Sequence, residues 1–159
     1  MAAKFTLSVY PWVYVGRYDA SKASWSGDFI EQEHRTPAEE AALPEAERDA
    51  LLTRRNAIEG LPLVNYTTQY GFGCFEGLKA FPQKDGSLKI FRPDANAGRM
   101  FRSMEGLRMP ALPEERFLDA VRGVVARNRD LGFFPPYDPA WEKNNFLTAS
   151  SMYLRPFSY

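Results

Sequence analysis

Tyr153 and Arg155 are two residues apart in a strand-like stretch near the end of the sequence. Alternate residues of a strand point to the same face, so this spacing places a phenol beside a guanidinium. Phe75 and Gly77 share the spacing in an earlier strand-like stretch, where the glycine leaves space beside the ring. A guanidinium in such a position can bind a carboxylate. A structural arginine at a sheet edge and a core phenylalanine are the alternatives at this stage.

Arg99 is a second candidate, because it lies on a predicted helix over residues 94–107. On a helical wheel, Ala97, Phe101 and Met104 cluster on one side, and Arg99 lies opposite them. Residues 89–129 carry nine basic and five acidic side chains, so this region could hold a small anion such as phosphate. Taken alone, the residues favour the plainer interpretation of a solvated helix surface.

The composition argues against several other kinds of site. The chain has 159 residues, one cysteine, one histidine and a formal net charge of zero. A single cysteine cannot form an internal disulfide, and it fits a reducing compartment. A single histidine, His34, excludes histidine-rich metal sites, and we expect no metal centre. Cys74 has no base nearby in the sequence, so we interpret it as a small buried residue.

Charge and hydropathy also argue against nucleic acid and membranes as partners. A net charge of zero provides no general basic field for either one. No apolar run approaches the roughly 20 residues needed to cross a bilayer. The first ten residues do not predict a signal peptide. We therefore expect a cytoplasmic protein.

Hydrophobic periodicity and turn residues predict an α+β fold, an antiparallel sheet with helices packed on it. Strands are predicted at residues 5–14, 74–82, 87–92 and 146–159, and helices at 44–57, 94–107 and 113–128. Asp85-Gly86 lies between the second and third of these strands and is typical of a hairpin turn. Residues 16–36 are predicted to be a loop with short extended pieces, and residues 132–145 are predicted to be a loop.

Four blocks of sequence, in order, resemble the branched-chain amino-acid aminotransferases, which are fold-type IV pyridoxal-phosphate enzymes. The blocks are YGFGCFEGLKA at 70–80, FRPDANAGRM at 91–100, SMEGLRMP at 103–110 and YLRPF at 153–157. The resemblance covers roughly residues 60–159. Residues 1–33 are only loosely similar to the family, and residues 34–58 are interpreted as an insertion.

The resemblance implies roles for five residues. Arg99 would bind the phosphate of pyridoxal phosphate. Tyr70, Phe75 and Tyr153 would form the walls of a pocket for the branched side chain of leucine, isoleucine or valine. Arg155, at the rim, would take the distal carboxylate of glutamate or 2-oxoglutarate.

The resemblance also implies that residues 1–159 are the smaller, N-terminal domain of a two-domain enzyme that forms homodimers. The chain stops inside a strand-like run, so we expect that a second domain is missing. In the family, that second domain carries the Schiff-base lysine. None of the six lysines here matches its setting, so no catalytic residue is assigned and this stretch alone is expected to be inactive.

Two alternatives remain open. One is another fold-type IV enzyme, a D-amino-acid transaminase or an aminodeoxychorismate lyase. Arg155 and the Phe75-Glu-Gly77 block argue against it. The other is a non-catalytic α+β binding module that kept the sequence and lost the chemistry.

Overall fold

A computed structural model describes residues 9–57 and 64–159. Predictions that fall on residues 1–8 and 58–63 lie outside the described residues: the start of the first strand, most of the segment tested for a signal peptide, and the first residues of the family resemblance. The described part is α+β with antiparallel strands, which confirms the predicted class. Its strands are β1 Trp12–Asp19, β2 Ser24–Glu31, β3 Cys74–Phe75, β4 Leu78–Pro82, β5 Leu88–Ile90, β6 Met152–Leu154 and β7 Phe157–Ser158. Its helices are α1 Pro37–Ala42, α2 Glu45–Arg55, α3 Tyr66–Tyr70, α4 Pro93–Gly106, α5 Glu114–Asp130 and a 3₁₀ helix at Pro139–Asn144.

The described strands form three small sheets and not the single sheet that the sequence predicts. β1 pairs with β2, β3 pairs with β7, and β4 lies between β5 and β6. The predicted strand over 74–82 is interrupted at Glu76 and Gly77, and its partner is interrupted at Arg155 and Pro156. Pro156 has no backbone N–H for a ladder, and its carbonyl accepts a hydrogen bond from the Glu76 N–H at 2.9 Å.

The hairpin of β1 and β2 corrects the predicted loop over residues 16–36. Its glycines and serines are weak strand formers, so local propensity misses the two strands. Two contacts compensate for them: the Tyr14 ring packs across the hairpin at 5.2 Å from the Phe29 ring, and Trp25 Nε1 donates to the carbonyl of Ala111, outside the hairpin, at 3.1 Å. Packing on the core therefore decides the structure of this segment.

Helices α4 and α5 confirm the predictions over 94–107 and 113–128. Their apolar residues meet the sheet of β4, β5 and β6 in one core. The buried members of this core are Leu78, Ala80, Ala97, Met100, Met104, Phe117, Val121, Val125, Met152 and Leu154. This core fixes the position of α4 relative to β4 and β6.

Two other predictions are confirmed with adjustments. α2 begins directly after Pro44, as its position at a helix start predicts. The turn between β4 and β5 contains Gly86 with a φ of +80°, which favours glycine. The predicted strand over 146–159 is reduced to β6 and β7, and the loop over 132–145 contains the 3₁₀ helix.

No helix of the described ranges has both the length and the apolar character that a membrane span requires.

Asn128 holds the β1–β2 hairpin against α5. Its side chain is 0% exposed. Nδ2 donates to the carbonyls of Trp12 and Val124 at 2.9 Å each, and Oδ1 accepts from the Trp12 N–H at 3.0 Å. The backbone N–H and the carbonyl of the hairpin's first residue are therefore both bound by one side chain.

We expect Asn128→Ala to lower the free energy of unfolding by about 1–3 kcal/mol, because it leaves the backbone groups of Trp12 without their partner. Urea unfolding measures the change. Asp119→Ala is the control, since Asp119 lies exposed on the same helix, and it should change stability by less than about 0.5 kcal/mol. Equal effects of the two substitutions would contradict this role for Asn128.

Candidate functional site

Arg155 lies on the connection between β6 and β7 and contacts two of the residues that the sequence singles out. Its Nε donates a hydrogen bond to the Tyr153 hydroxyl oxygen at 3.1 Å. Its guanidinium carbon lies 4.5 Å from the centre of the Phe75 ring and 5.2 Å from that of Tyr153. A guanidinium over ring faces is attracted by their negative charge density, which restricts its orientation. The structure thus brings Phe75, Tyr153 and Arg155 together.

Gly77 is required by Tyr153 and not by Phe75. A Cβ added at Gly77 would lie 2.5 Å from the Tyr153 hydroxyl oxygen, too close for any real contact. The sequence predicts that the missing side chain leaves space beside the Phe75 ring. The pairing on both sides of the break keeps one register, and Phe75 and Gly77 both lie on its exposed side, but it is the Tyr153 hydroxyl that fills the space at Gly77.

Tyr70 is not brought into this cluster. It is the last residue of α3 and is 71% exposed. Its ring lies 6.2 Å from the Tyr66 ring on the same helix. Its predicted role as a pocket wall remains a prediction.

Arg99 lies on α4 and is paired with Glu76. Nε donates to Glu76 Oε1 and Nη2 to Oε2, both at 2.9 Å, so the contact is bidentate. The Arg99 side chain is 52% exposed, whereas that of Glu76 is only 11% exposed. The hydrogen bonds that Arg99 donates to the Glu76 carboxylate raise the pKa of Arg99. One part of the Arg99 side chain therefore faces solvent, as the sequence predicts, and the other part is bound by Glu76.

Glu76 is the functional candidate that sequence reasoning missed. Its Oε2 also accepts from Asn96 Nδ2 at 2.8 Å. Burial alone raises the pKa of this carboxyl, but the hydrogen bonds from Arg99 and Asn96 outweigh burial, so the pKa is lowered. Asn96 and Arg99 are three residues apart and lie on one face of α4, which is a pattern that could have indicated a shared partner.

An open groove of about 390 Å³ borders the cluster on the other side of Phe75. α3, β3 and β7 form its walls. The lining residues are Asn65, Thr67, Thr68, Gly71, Gly73, Cys74, Phe75, Phe157, Ser158 and Tyr159. Cys74 is predicted to be a small buried residue but is only half-buried in this groove, and burial raises the pKa of its thiol, which does not favour a nucleophile.

None of the lysines that the structure describes lies in an enclosed site. Lys22, Lys79, Lys84, Lys89 and Lys143 are all exposed. Lys22 lies 3.1 Å from an Asp19 carboxylate oxygen, and Lys84 lies 3.4 Å from one of Glu142. Lys4 lies outside the described residues.

Sequence comparison with known proteins finds relatives of this chain. The chain is 46% identical over 88 residues to the branched-chain-amino-acid aminotransferase of Haemophilus influenzae. It is 38% identical over 109 residues to the enzyme of the same name from Helicobacter pylori. This chain is related to the branched-chain amino-acid aminotransferases. A transaminase of Aspergillus rugulosus, htyB, is 39% identical over 103 residues. No family model matches the chain.

The matches cover more of this chain than of its relatives. They include 55% of this chain and 22% of the Haemophilus protein, and 67% of this chain and 28% of the Helicobacter protein. The chain thus spans about a quarter of the length of these curated relatives. The predicted resemblance to the branched-chain amino-acid aminotransferases is confirmed by these identities.

We expect Gly77→Ala to destabilise the protein by about 1–3 kcal/mol, because the added methyl group displaces the Tyr153 hydroxyl. Tyr153→Phe removes the clashing oxygen, so the double variant should recover most of the loss. A double-mutant cycle measured by urea unfolding gives the coupling.

Gly106→Ala is the matched control, since a Cβ there meets nothing within 4 Å. It should leave stability unchanged or slightly raised. Additive effects of Gly77→Ala and Tyr153→Phe would show that the close approach does not explain this glycine.

Proposed function

We propose that this chain is the N-terminal domain of a pyridoxal-phosphate-dependent transaminase, with residues 34–58 as an insertion. The complete protein would move the amino group of leucine, isoleucine or valine to 2-oxoglutarate. The observation that carries the proposal is the position of the Arg155 guanidinium close to the rings of both Tyr153 and Phe75. The relatives named above support the transaminase activity.

A transaminase of this kind must accept two different side chains in turn. The branched side chains are apolar and suit the faces of Phe75 and Tyr153. The distal carboxylate of glutamate carries a full charge and suits Arg155, whose guanidinium presents several N–H donors. Among residues 9–57 and 64–159, Arg155 uses only Nε, in its hydrogen bond to Tyr153, so its other donors remain for a carboxylate. Tyr70 on α3 lies outside this cluster in the described residues, and we propose it as a further wall of the pocket in the complete protein.

The residues on α4 fit the phosphate of the proposed cofactor. Arg99 is half exposed, and its bidentate contact with Glu76 uses Nε and Nη2, which leaves Nη1 for an anion. Pyridoxal phosphate, when bound, supplies the electron-accepting ring on which amino groups are transferred. Arg99 would bind and orient its phosphate. The lysine that holds the cofactor is proposed to lie in a second domain.

We also propose that the complete enzyme is a cytoplasmic homodimer. The exposed rings around the groove, including Phe157 and Tyr159, support a covered surface here, because large apolar patches are typical of interfaces. The balanced charge and the single cysteine support the location.

Arg155→Met in the complete protein should lower kcat/KM for the glutamate half-reaction by about 10- to 150-fold, the effect of one lost charged hydrogen bond. The leucine half-reaction should change much less, because leucine brings no second carboxylate. Single-turnover kinetics of each half-reaction measure the two effects separately.

Arg122→Met is the control for Arg155→Met, since it removes an exposed guanidinium from α5, outside the proposed site. It should leave both half-reactions unchanged. Equal losses with leucine and glutamate in Arg155→Met would mean that Arg155 supports the pocket generally and does not recognise the distal carboxylate.

Arg99→Ala in the complete protein should weaken the binding of pyridoxal phosphate by about 10- to 150-fold, because a charged hydrogen bond to the phosphate is lost. Binding of pyridoxal, which has no phosphate, should not change. Equilibrium titration of the cofactor-free protein measures both.

Arg102→Ala, three residues further along α4 and also exposed, is the matched control and should bind pyridoxal phosphate normally. If Arg99→Ala binds the cofactor as the wild type does and only loses thermal stability, Arg99 serves the Glu76 pair alone.

A further inference from the structure

Glu76 connects the two arginines of the proposed site. Through its carboxylate it binds Arg99 and Asn96 on α4. Through its backbone N–H it donates to the carbonyl of Pro156, the residue after Arg155. No role follows for this residue from the assignments made above, although it lies between Phe75 and Gly77 in the sequence.

The contact leaves one edge of the Arg99 guanidinium free. An arginine fork has one edge formed by Nε and Nη2 and another formed by Nη1 and Nη2. Glu76 binds the first edge, with both distances at 2.9 Å. No side chain or carbonyl within residues 9–57 and 64–159 accepts a hydrogen bond from Nη1. A planar group held by one edge has a fixed direction for the other.

The environment of Glu76 keeps the carboxylate in place. Asn96, which is 6% exposed, donates to Oε2 at 2.8 Å and to the carbonyl of Gly77 at 3.3 Å. The carboxylate is therefore fixed from the helix side even when Arg99 moves. A buried, hydrogen-bonded anion is suited to orient its partner and is poorly suited to leave when another anion arrives.

We propose that Glu76 is a positioning residue that holds Arg99 by one edge and directs the other edge towards the cofactor phosphate. The inference rests on the proposed function, because it needs a phosphate at Arg99. The opposite role is competition, in which Glu76 occupies Arg99 and the phosphate must displace it. The two roles predict changes of opposite sign when the carboxylate is removed.

The test is Glu76→Gln in the complete protein, with cofactor-free samples titrated separately with pyridoxal phosphate and pyridoxal. The amide nitrogen cannot accept a hydrogen bond, so the bidentate contact is lost while the size is kept. The Kd for pyridoxal phosphate should rise on the order of 10-fold, as for other residues that orient a ligand-binding group. The Kd for pyridoxal should stay the same. Glu105→Gln, exposed on the same helix, is the matched control and should change neither.

A double-mutant cycle shows whether Glu76 acts through Arg99. In the Arg99→Ala background, Glu76→Gln should have no further effect on the Kd for pyridoxal phosphate. Unchanged or tighter binding in Glu76→Gln, or a full additional loss in the double variant, would overturn the inference. If Glu76→Gln does not fold, Glu76→Asp keeps the charge but is too short for the bidentate contact. It must show the same weakening, and normal binding in that variant overturns the inference equally. A wild-type protein that does not bind pyridoxal phosphate would instead refute the proposed function.

Discussion

The shared interruption of two paired strands is the constraint on which the candidate site depends. β4 pairs with β6 up to Leu78 and Leu154, and β3 pairs with β7 from Phe75 and Phe157. Two residues on each side lie between these ladders, and the hydrogen bond from Glu76 to Pro156 bridges them. Glu76 and Arg155 lie at this interruption, and Tyr153 lies two residues before Arg155. The pairing keeps one register across the interruption, so Phe75, Gly77, Tyr153 and Arg155 stay on one exposed side of the ladder.

The contacts within the cluster orient its side chains and contribute little to the free energy of unfolding. Cation–π contacts at exposed positions contribute only about 0.5–1 kcal/mol each. The contact between Glu76 and Arg99 is half exposed on the arginine side and is screened there by solvent. The stability of the region comes from the core under it, where α4 and α5 pack on β4 and β6. This division lets the site keep charged groups with free hydrogen-bonding capacity on a rigid support.

The sequence predicted the parts of the structure that are decided locally. The spacing of Ala97, Met100 and Met104 predicts α4, and Asp85-Gly86 predicts the turn between β4 and β5. The alternation of side chains along a strand likewise predicts that Tyr153 and Arg155 lie close together. The hairpin of β1 and β2 was missed because its strands depend on packing against α5 and the core. The spacing of Asn96 and Arg99 on one face of α4 indicates a shared partner, but it does not identify Glu76, which is 23 residues from Arg99 in the sequence.

The ring-bearing surface formed by α3, β3 and β7 also determines how the chain behaves in concentrated solution. Tyr66, Phe75 and Phe157 each expose more than half of their surface on this side of the molecule. Contact between two such surfaces releases water from the rings, and this attraction weakens on cooling. The formal net charge of zero provides little long-range repulsion to oppose it. Copies of the chain whose surface here is uncovered are therefore expected to attract each other through this face. This attraction is weakest at low temperature and at a pH where the chain carries a net charge.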